Sequence, residues 1–226
     1  MNDWWQKKYN ENNNFNEIFK KWEVGRNKLN IYKIINENLN CKNILNVGCG
    51  TGYDFKEFNN YFTKNKLTWE GVEYSDFMVD EGKKNNIPIK KGNIYELDLV
   101  INKQYNCVLA IDVFEHLDNL ELALNNMINF SNKYVIISFF KIPIENNKEI
   151  VVNKHINDKD VKIKECMNGK KFIKENPGFR NGFCKNCFYN IHNKNYIEDF
   201  LIKNNLEFEW KKYDDNDNTI LLIIEK

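Results

Sequence analysis

Apolar residues recur along this chain in two different periods, and the switches between them divide it into elements. Phe15, Ile18, Phe19 and Trp22 form one stripe at helical spacing, and Leu29, Tyr32, Ile35 and Leu39 form a second, with Gly25 between them. Together they predict a two-piece helix over 14–39. Ile44, Leu45 and Val47 read as a short buried strand, and Phe55, Phe58 and Phe62 then predict a helix over 54–63. The segment 67–73 reads as a second strand, followed by a helix over 76–85. Ile87-Pro88-Ile89 reads as a short edge strand, because Pro cannot donate to a ladder. Residues 107–111 form a buried strand, Leu117, Leu120, Leu124, Met127 and Ile128 mark a helix, and 134–140 is a fifth strand. This alternation predicts a parallel sheet covered by helices.

The C-terminal end has a different pattern. Asn195 followed by Glu198 has the form of a capping box and predicts a helix through Asn204. Leu206, Phe208 and Trp210 alternate with Glu207, Glu209 and Lys211, whereas 220–224 is apolar throughout, and an Asp- and Asn-rich turn at 214–218 separates the two. A half-exposed strand hairpinned to a fully apolar one predicts that the last strand inserts beside a central strand, antiparallel to it. No period is legible between 141 and 193, and plain connections are seldom so long, so an inserted lid is expected there.

Composition narrows the classes. A chain of 226 residues fits one sizeable domain with an insertion, or two small ones. No apolar run approaches a membrane span, and the start MNDWWQKKYNENNNF lacks the apolar core of a secretory signal, so a cytoplasmic protein with no membrane partner is expected. Lys+Arg 33 against Asp+Glu 32 leaves a net charge of +1, which supplies no global field to attract nucleic acid. The six cysteines form no regular framework, and a chain of this length folds without disulfides. Asn, Lys and Ile, whose codons are A/T-rich, are heavily used; a rare Arg therefore carries more information than any one Lys.

The candidate chemistry starts at Gly48-Cys49-Gly50-Thr51-Gly52, between the first strand and its helix. Glycines at such a turn let the backbone approach a ligand closely. A phosphate-cradling loop needs Lys-Ser or Lys-Thr after its last Gly, and the dinucleotide fingerprint needs Gly at position 53. Here Tyr53-Asp54 follows. What remains is a GxGxG turn that admits a ligand without demanding a phosphate.

Four segments in register resemble the class I S-adenosylmethionine-dependent methyltransferases, over roughly 26–140 and 194–226. NILNVGCGTG resembles their glycine motif and WEGVEYS their second motif, in which an acidic residue ends strand two. IKKGNIYEL resembles the third, with Asn93 where the family often has Asp, and YNCVLAIDVFEHL the segment after strand four. The closing helix–strand–turn–strand is similar to the family's antiparallel hairpin. The resemblance implies an α/β Rossmann-like three-layer sandwich, with a seven-stranded, mostly parallel sheet and that hairpin at its C-terminal end. It implies a helical cap over 1–40, a cofactor-binding core over 41–140 and 194–226, and an acceptor-binding lid over 141–193.

The same resemblance implies S-adenosylmethionine as cofactor, which carries no phosphate. Asn46, Gly48, Cys49, Gly50 and Gly52 would line its methionine and ribose portions. Glu73 would accept hydrogen bonds from both ribose hydroxyls, with Tyr74 beside it. Asn93 and the Ile94 backbone would read the adenine edge, and Ile111 and Asp112 would complete the site. Arg26, one of two arginines, is a candidate for the cofactor carboxylate against a surface helix charge. Trp4, Trp5 and Tyr9 are candidates for a mobile cap or for a hydrophobic anchor.

Asp112, Glu115 and His116 have the spacing i, i+3, i+4, which places all three on one face of a helical turn. His116 would take the acceptor's proton, with Glu115 orienting it. Alternatively, Asp-x-x-Glu-His offers ligands for a divalent ion, similar to the Glu-x-x-Glu-His of quinone and small-RNA O-methyltransferases, although Asp112 has a shorter reach than Glu. Cys184, Cys187, His192 and Cys166 offer a Cys₃His zinc set. The preferred reading is a metal-free lid with Phe179, Phe183 and Phe188 on its apolar side.

Methyl transfer to an O or N of a small-molecule acceptor is the leading function. No Asn-Pro-Pro-Tyr-like tetrapeptide follows strand four, where 111–114 reads IDVF, and this argues against amino-methylation of DNA bases or glutamine. The competing classes are a non-catalytic methyltransferase-like binding module and a nicotinamide oxidoreductase, which would need the missing Gly.

Overall fold

The computed structural model describes residues 28–117, 119–140, 143, 151–153, 160–165, 171–174, 190–212 and 219–226. Helix α1 (Lys28–Lys33) runs on as a π-helical segment over Ile34–Asn38 and leads into strand β1 (Asn43–Val47). Two short helices follow, α2 (Tyr53–Glu57) and α3 (Asn59–Asn65), then β2 (Thr68–Glu73), α4 (Asp76–Lys84) and β3 (Ile89–Lys91). A 3₁₀ segment over Ile94–Leu99 precedes β4 (Tyr105–Ile111), and a 3₁₀ turn over Phe114–His116 precedes α5 (Leu120–Phe130) and β5 (Ser131–Phe139). Strands β6 (Val151–Asn153), β7 (Asp160–Glu165), β8 (Lys171–Lys174) and β9 (Asn190–His192) form a separate antiparallel sheet in that order. Helix α6 (Lys194–Lys203) and the hairpin β10 (Glu207–Lys212) and β11 (Ile220–Glu225) close the chain.

The main sheet has the order β10-β11-β5-β4-β1-β2-β3. Strands β1 to β5 are mutually parallel, and β11 lies antiparallel between β5 and β10. The sheet is mixed, mostly parallel, with the antiparallel closing hairpin the sequence led us to expect. Its central strands are apolar on both faces because helices cover both. Leu45, Val108, Ala110, Val135 and Leu222 face one core with Leu97, Leu124, Met127, Ile197 and Leu201. Ile44, Cys107, Leu109, Ile136 and Leu221 face the other with Ile31, Ile35, Phe62 and Val79. Among the described residues no helix is long and apolar enough to cross a membrane.

Several element boundaries differ from the sequence expectation, each for a local reason. The helix expected over 54–63 breaks at Phe58, whose backbone leaves helical geometry at φ −100° and ψ 18°. Helix α6 starts at Lys194 because Asn193, not Asn195, is the cap: its side chain accepts from the Tyr196 N–H at 3.1 Å. Helix α5 starts at Leu120 behind the Asn119 cap, because Leu117 closes the separate 3₁₀ turn instead. Within 141–193, four short strands stand where no period was legible. Arg26, Trp4, Trp5, Tyr9, Cys166, Cys184, Cys187, Phe179, Phe183, Phe188 and the turn at 214–218 lie outside the described residues.

At the end of the sheet away from the glycine turn, Glu70 gathers three donors. Tyr105 Oη donates to it at 2.6 Å, and Lys90 and Lys103 approach to 2.6 and 3.0 Å. Burial alone would raise its pKa, but hydrogen bonds from Lys90, Tyr105 and Lys103 outweigh this and hold it at about 2. A depressed carboxylate stabilises the fold above its unfolded pKa, and that contribution fades as pH falls through the folded value. Glu70→Gln should therefore cost about 1–2 kcal/mol at pH 7, a value discounted for the half-exposed lysines. Urea melts at pH 7, 4 and 2.5 should show the gap from wild type shrinking by more than half at the lowest pH. A gap that does not change with pH would show that shape, not charge, matters at this position.

Candidate active site

The order β3-β2-β1-β4-β5 reverses direction between β1 and β4, so their carboxyl ends open a crevice at the switch point. The glycine turn lies there. Gly48, Gly50 and Gly52 have φ of 72°, 59° and 71°, a region L-residues with side chains enter at a cost. Gly48 donates to Val72 O at 2.7 Å, which ties the turn to the end of β2. A Cβ on Gly48 would lie 2.5 Å from Val113 Cγ2, so Val113 already fills the space a side chain would need. Cys49 is buried, and its thiol lies 3.8 Å from Gly50 O.

Glu73, at the end of β2, faces this turn. Its Oε2 accepts from the Gly50 N–H and its Oε1 from the Ser75 N–H, both at 2.8 Å. Two backbone donors thus set the plane of the carboxylate. Tyr74 is half-buried beside it, with Lys91 donating to its carbonyl and Lys91 Nζ 4.9 Å from its ring centroid. Asn93 caps the next 3₁₀ segment, accepting from the Tyr95 N–H at 3.1 Å, and Ile94 and Ile111 are buried. Glu73, Asn93 and Ile111 thus stand at or just beyond the carboxyl ends of β2, β3 and β4.

Beneath the turn lies a polar network that the sequence reading did not anticipate. Tyr32 is fully buried; its hydroxyl donates to Asp54 Oδ2 at 3.2 Å and accepts from Asn46 Nδ2 at 3.3 Å. Lys28 Nζ stands 3.3 Å from Asp54 Oδ1. Burial first, and then the Asp54 charge, raise the Tyr32 pKa well above its usual value, so the phenol keeps its proton. Asn46 Oδ1 is buried with no hydrogen-bond partner among the described residues.

Asp112, Glu115 and His116 do not share one helical face. Asp112 has φ of 58° and stands outside the turn, which covers only Phe114–His116. Ser138 Oγ donates to Asp112 Oδ1 at 2.9 Å. Glu115 is fully buried, whereas the half-exposed His116 ring lies 5.8 Å from that of Phe140. Among the described residues no three His, Cys, Asp or Glu side chains are grouped as a metal ion requires. His192 is buried, with Nε2 2.8 Å from Phe114 O. A carbonyl only accepts, so this nitrogen donates to it.

Residues 45–131 match the profile of a methyltransferase domain family. Those residues form a methyltransferase domain. Solved structures of the same fold include an S-adenosylmethionine-dependent methyltransferase from Clostridium acetobutylicum, with TM-score 0.58 and 16% identity over 94% of this chain and 98% of that one. CalS10, an amino pentose methyltransferase from Micromonospora echinaspora, has TM-score 0.60 and 12% identity over 92% of this chain and 96% of that one. DesVI from Streptomyces venezuelae has TM-score 0.58 and 14% identity over 92% and 96%. No curated protein matches the chain.

The methyltransferase crevice is compatible with a phosphate-free cofactor: no lysine directly follows the glycine turn, Asn46 Oδ1 is a buried acceptor without a partner among the described residues, and the Glu73 carboxylate faces the turn. Gly48→Ala should destabilise the protein by about 2 kcal/mol or more, because it combines a left-handed conformation with a clash against Val113. Chemical denaturation checks this, and a loss under 0.5 kcal/mol, on the order of a surface change, would mean the turn is looser than described.

Proposed function

We propose that this methyltransferase moves the methyl group of S-adenosylmethionine to an oxygen or nitrogen of a small-molecule acceptor. The observation that carries the reading is Glu73, fixed by two backbone donors beside a glycine turn with no phosphate-binding lysine. A carboxylate accepts about four hydrogen bonds, two per oxygen, so backbone donors and ribose hydroxyls can share it. The 48–52 backbone would lie against the methionine and ribose portions, with Asn46 Oδ1 available to an ammonium donor. Asn93 and Ile94 would meet the adenine edge.

The cofactor, when bound, supplies an electrophilic methyl on a sulfonium. The chain has to align the acceptor and exclude water, and it needs a base only for a protonated nucleophile. We assign proton removal to His116, with Asp112 at the boundary between the cofactor and acceptor sides. The acceptor class is supported by like-folded enzymes that include an amino pentose methyltransferase and the plantazolicin methyltransferase BamL. The near-zero net charge speaks against a nucleic acid acceptor. Incubation with radiolabelled cofactor and a panel of hydroxylated and amino small molecules tests the proposal; label that moves only into RNA or protein would overturn the small-molecule reading.

Glu73→Ala should weaken S-adenosylhomocysteine binding by about 2–4 kcal/mol, or some 30- to 1000-fold. Unchanged calorimetric affinity in a folded variant would remove Glu73 from the site. His116→Ala should slow single-turnover transfer to an acceptor from that panel by roughly a hundredfold, with cofactor affinity near wild type. Equal rates in both proteins between about pH 6 and 9 would assign the proton to another group.

A further inference from the structure

Five non-glycine residues described have positive φ: Asn40, Lys66, Asn86, Asp112 and Asn205. Four of them sit just beyond helix ends, where a left-handed residue closes the helix. Asp112 instead follows a strand, at the switch point of the sheet, and its neighbour Ser138 holds it there. Ser138 is fully buried and pairs in register with Ile111, the last residue of β4. The Asp112 N–H lies 3.3 Å from Ser138 O and 3.2 Å from Ser138 Oγ, while the hydroxyl donates to Asp112 Oδ1 at 2.9 Å. One serine therefore engages both the backbone and the side chain of the strained residue.

This clamp directs the next residue onto the glycine turn. Val113 is the side chain that a Cβ on Gly48 would meet first, at 2.5 Å, and the Phe114–His116 turn starts immediately after it. Release of Asp112 would therefore move the wall of the cofactor crevice and the origin of the acceptor turn together. We propose that Ser138 is a positioning residue of the transfer site. It locks the left-handed turn at Asp112, so that Val113 seals the glycine turn and His116 emerges at a fixed place. The inference rests on the cofactor lying against 48–52.

The test is a mutant cycle read by calorimetry with S-adenosylhomocysteine, with thermal melting to verify folding. Ser138→Ala should weaken binding by roughly tenfold, because the turn at Asp112 loses both hydroxyl bonds. Glycine takes a positive φ without help, so adding Asp112→Gly to Ser138→Ala should bring affinity back to within about threefold of Asp112→Gly alone. A side chain that merely packs would give no such rescue. Unchanged affinity in Ser138→Ala, or a double variant still roughly tenfold weaker than Asp112→Gly alone, overturns the positioning role. Wild-type protein that does not bind S-adenosylhomocysteine overturns the cofactor reading and this inference with it.

Discussion

Between the end of β1 and the start of α2 the chain has five residues in which to turn, and it must do so in contact with the residue after β4. Only backbone fits between Gly48 and Val113, and the other two glycines of the turn share its positive φ. The Gly48 N–H bonds to Val72 O and the Gly50 N–H to Glu73, so the turn is fixed from the β2 side as well. Strand β1 lies between β2 and β4, and its turn is therefore the one place where both neighbours can contribute to a single crevice. The site is a consequence of that packing constraint.

The remainder of the fold keeps these three strand ends in place. Successive residues of β4 and β11 face opposite cores, and each core is closed by its own helices. A one-residue slip in any central strand would exchange the two faces. That exchange would turn Asn46 away from Tyr32 and Glu73 away from Gly50. Burial on both faces thus does more than stabilise the sheet; it fixes which way the polar residues at the strand ends point. Strand β11, apolar on both sides, extends the same constraint to β5 and so to Ser138.

Legibility from sequence followed the physics of each signal. Strands β1, β4, β5 and β11 were readable because two-sided burial leaves short apolar runs between turn residues. The first three residues of β5, Ser131 to Lys133, were not, because they are polar; Ser131 pairs with Tyr105 at the start of β4, and Lys133 O accepts from the Lys226 N–H. Strands β6 to β9 left no period to read. In the site, the three glycines and Glu73 were legible because their chemistry depends on residue type and spacing alone. The expectation of one helical face for Asp112, Glu115 and His116 failed because Asp112 turns left-handed, a conformation set by Ser138, 26 residues away. A contact that distant leaves no local pattern. Tyr32 was read as part of an apolar stripe, which its ring obeys, whereas its hydroxyl belongs to a network visible only in three dimensions.

That network has a direction, which follows from proton inventories. Asp54 meets Lys28 at one oxygen and the Tyr32 hydroxyl at the other. A carboxylate only accepts, so the protonated Tyr32 must donate to it, and the phenol oxygen is left to accept from Asn46. The amide nitrogen of Asn46 therefore faces Tyr32 and its carbonyl oxygen faces the other way, buried and without a partner among the described residues. An unmet buried acceptor costs on the order of 1–3 kcal/mol. An Asp at this position would have no hydrogen to give Tyr32, and the phenol would then face carboxylates on both sides. Asn is thus the side chain that completes the proton chain beneath the turn while still presenting an oxygen, and Asp54, which in sequence only spoke against a phosphate loop, is the group that sets its orientation.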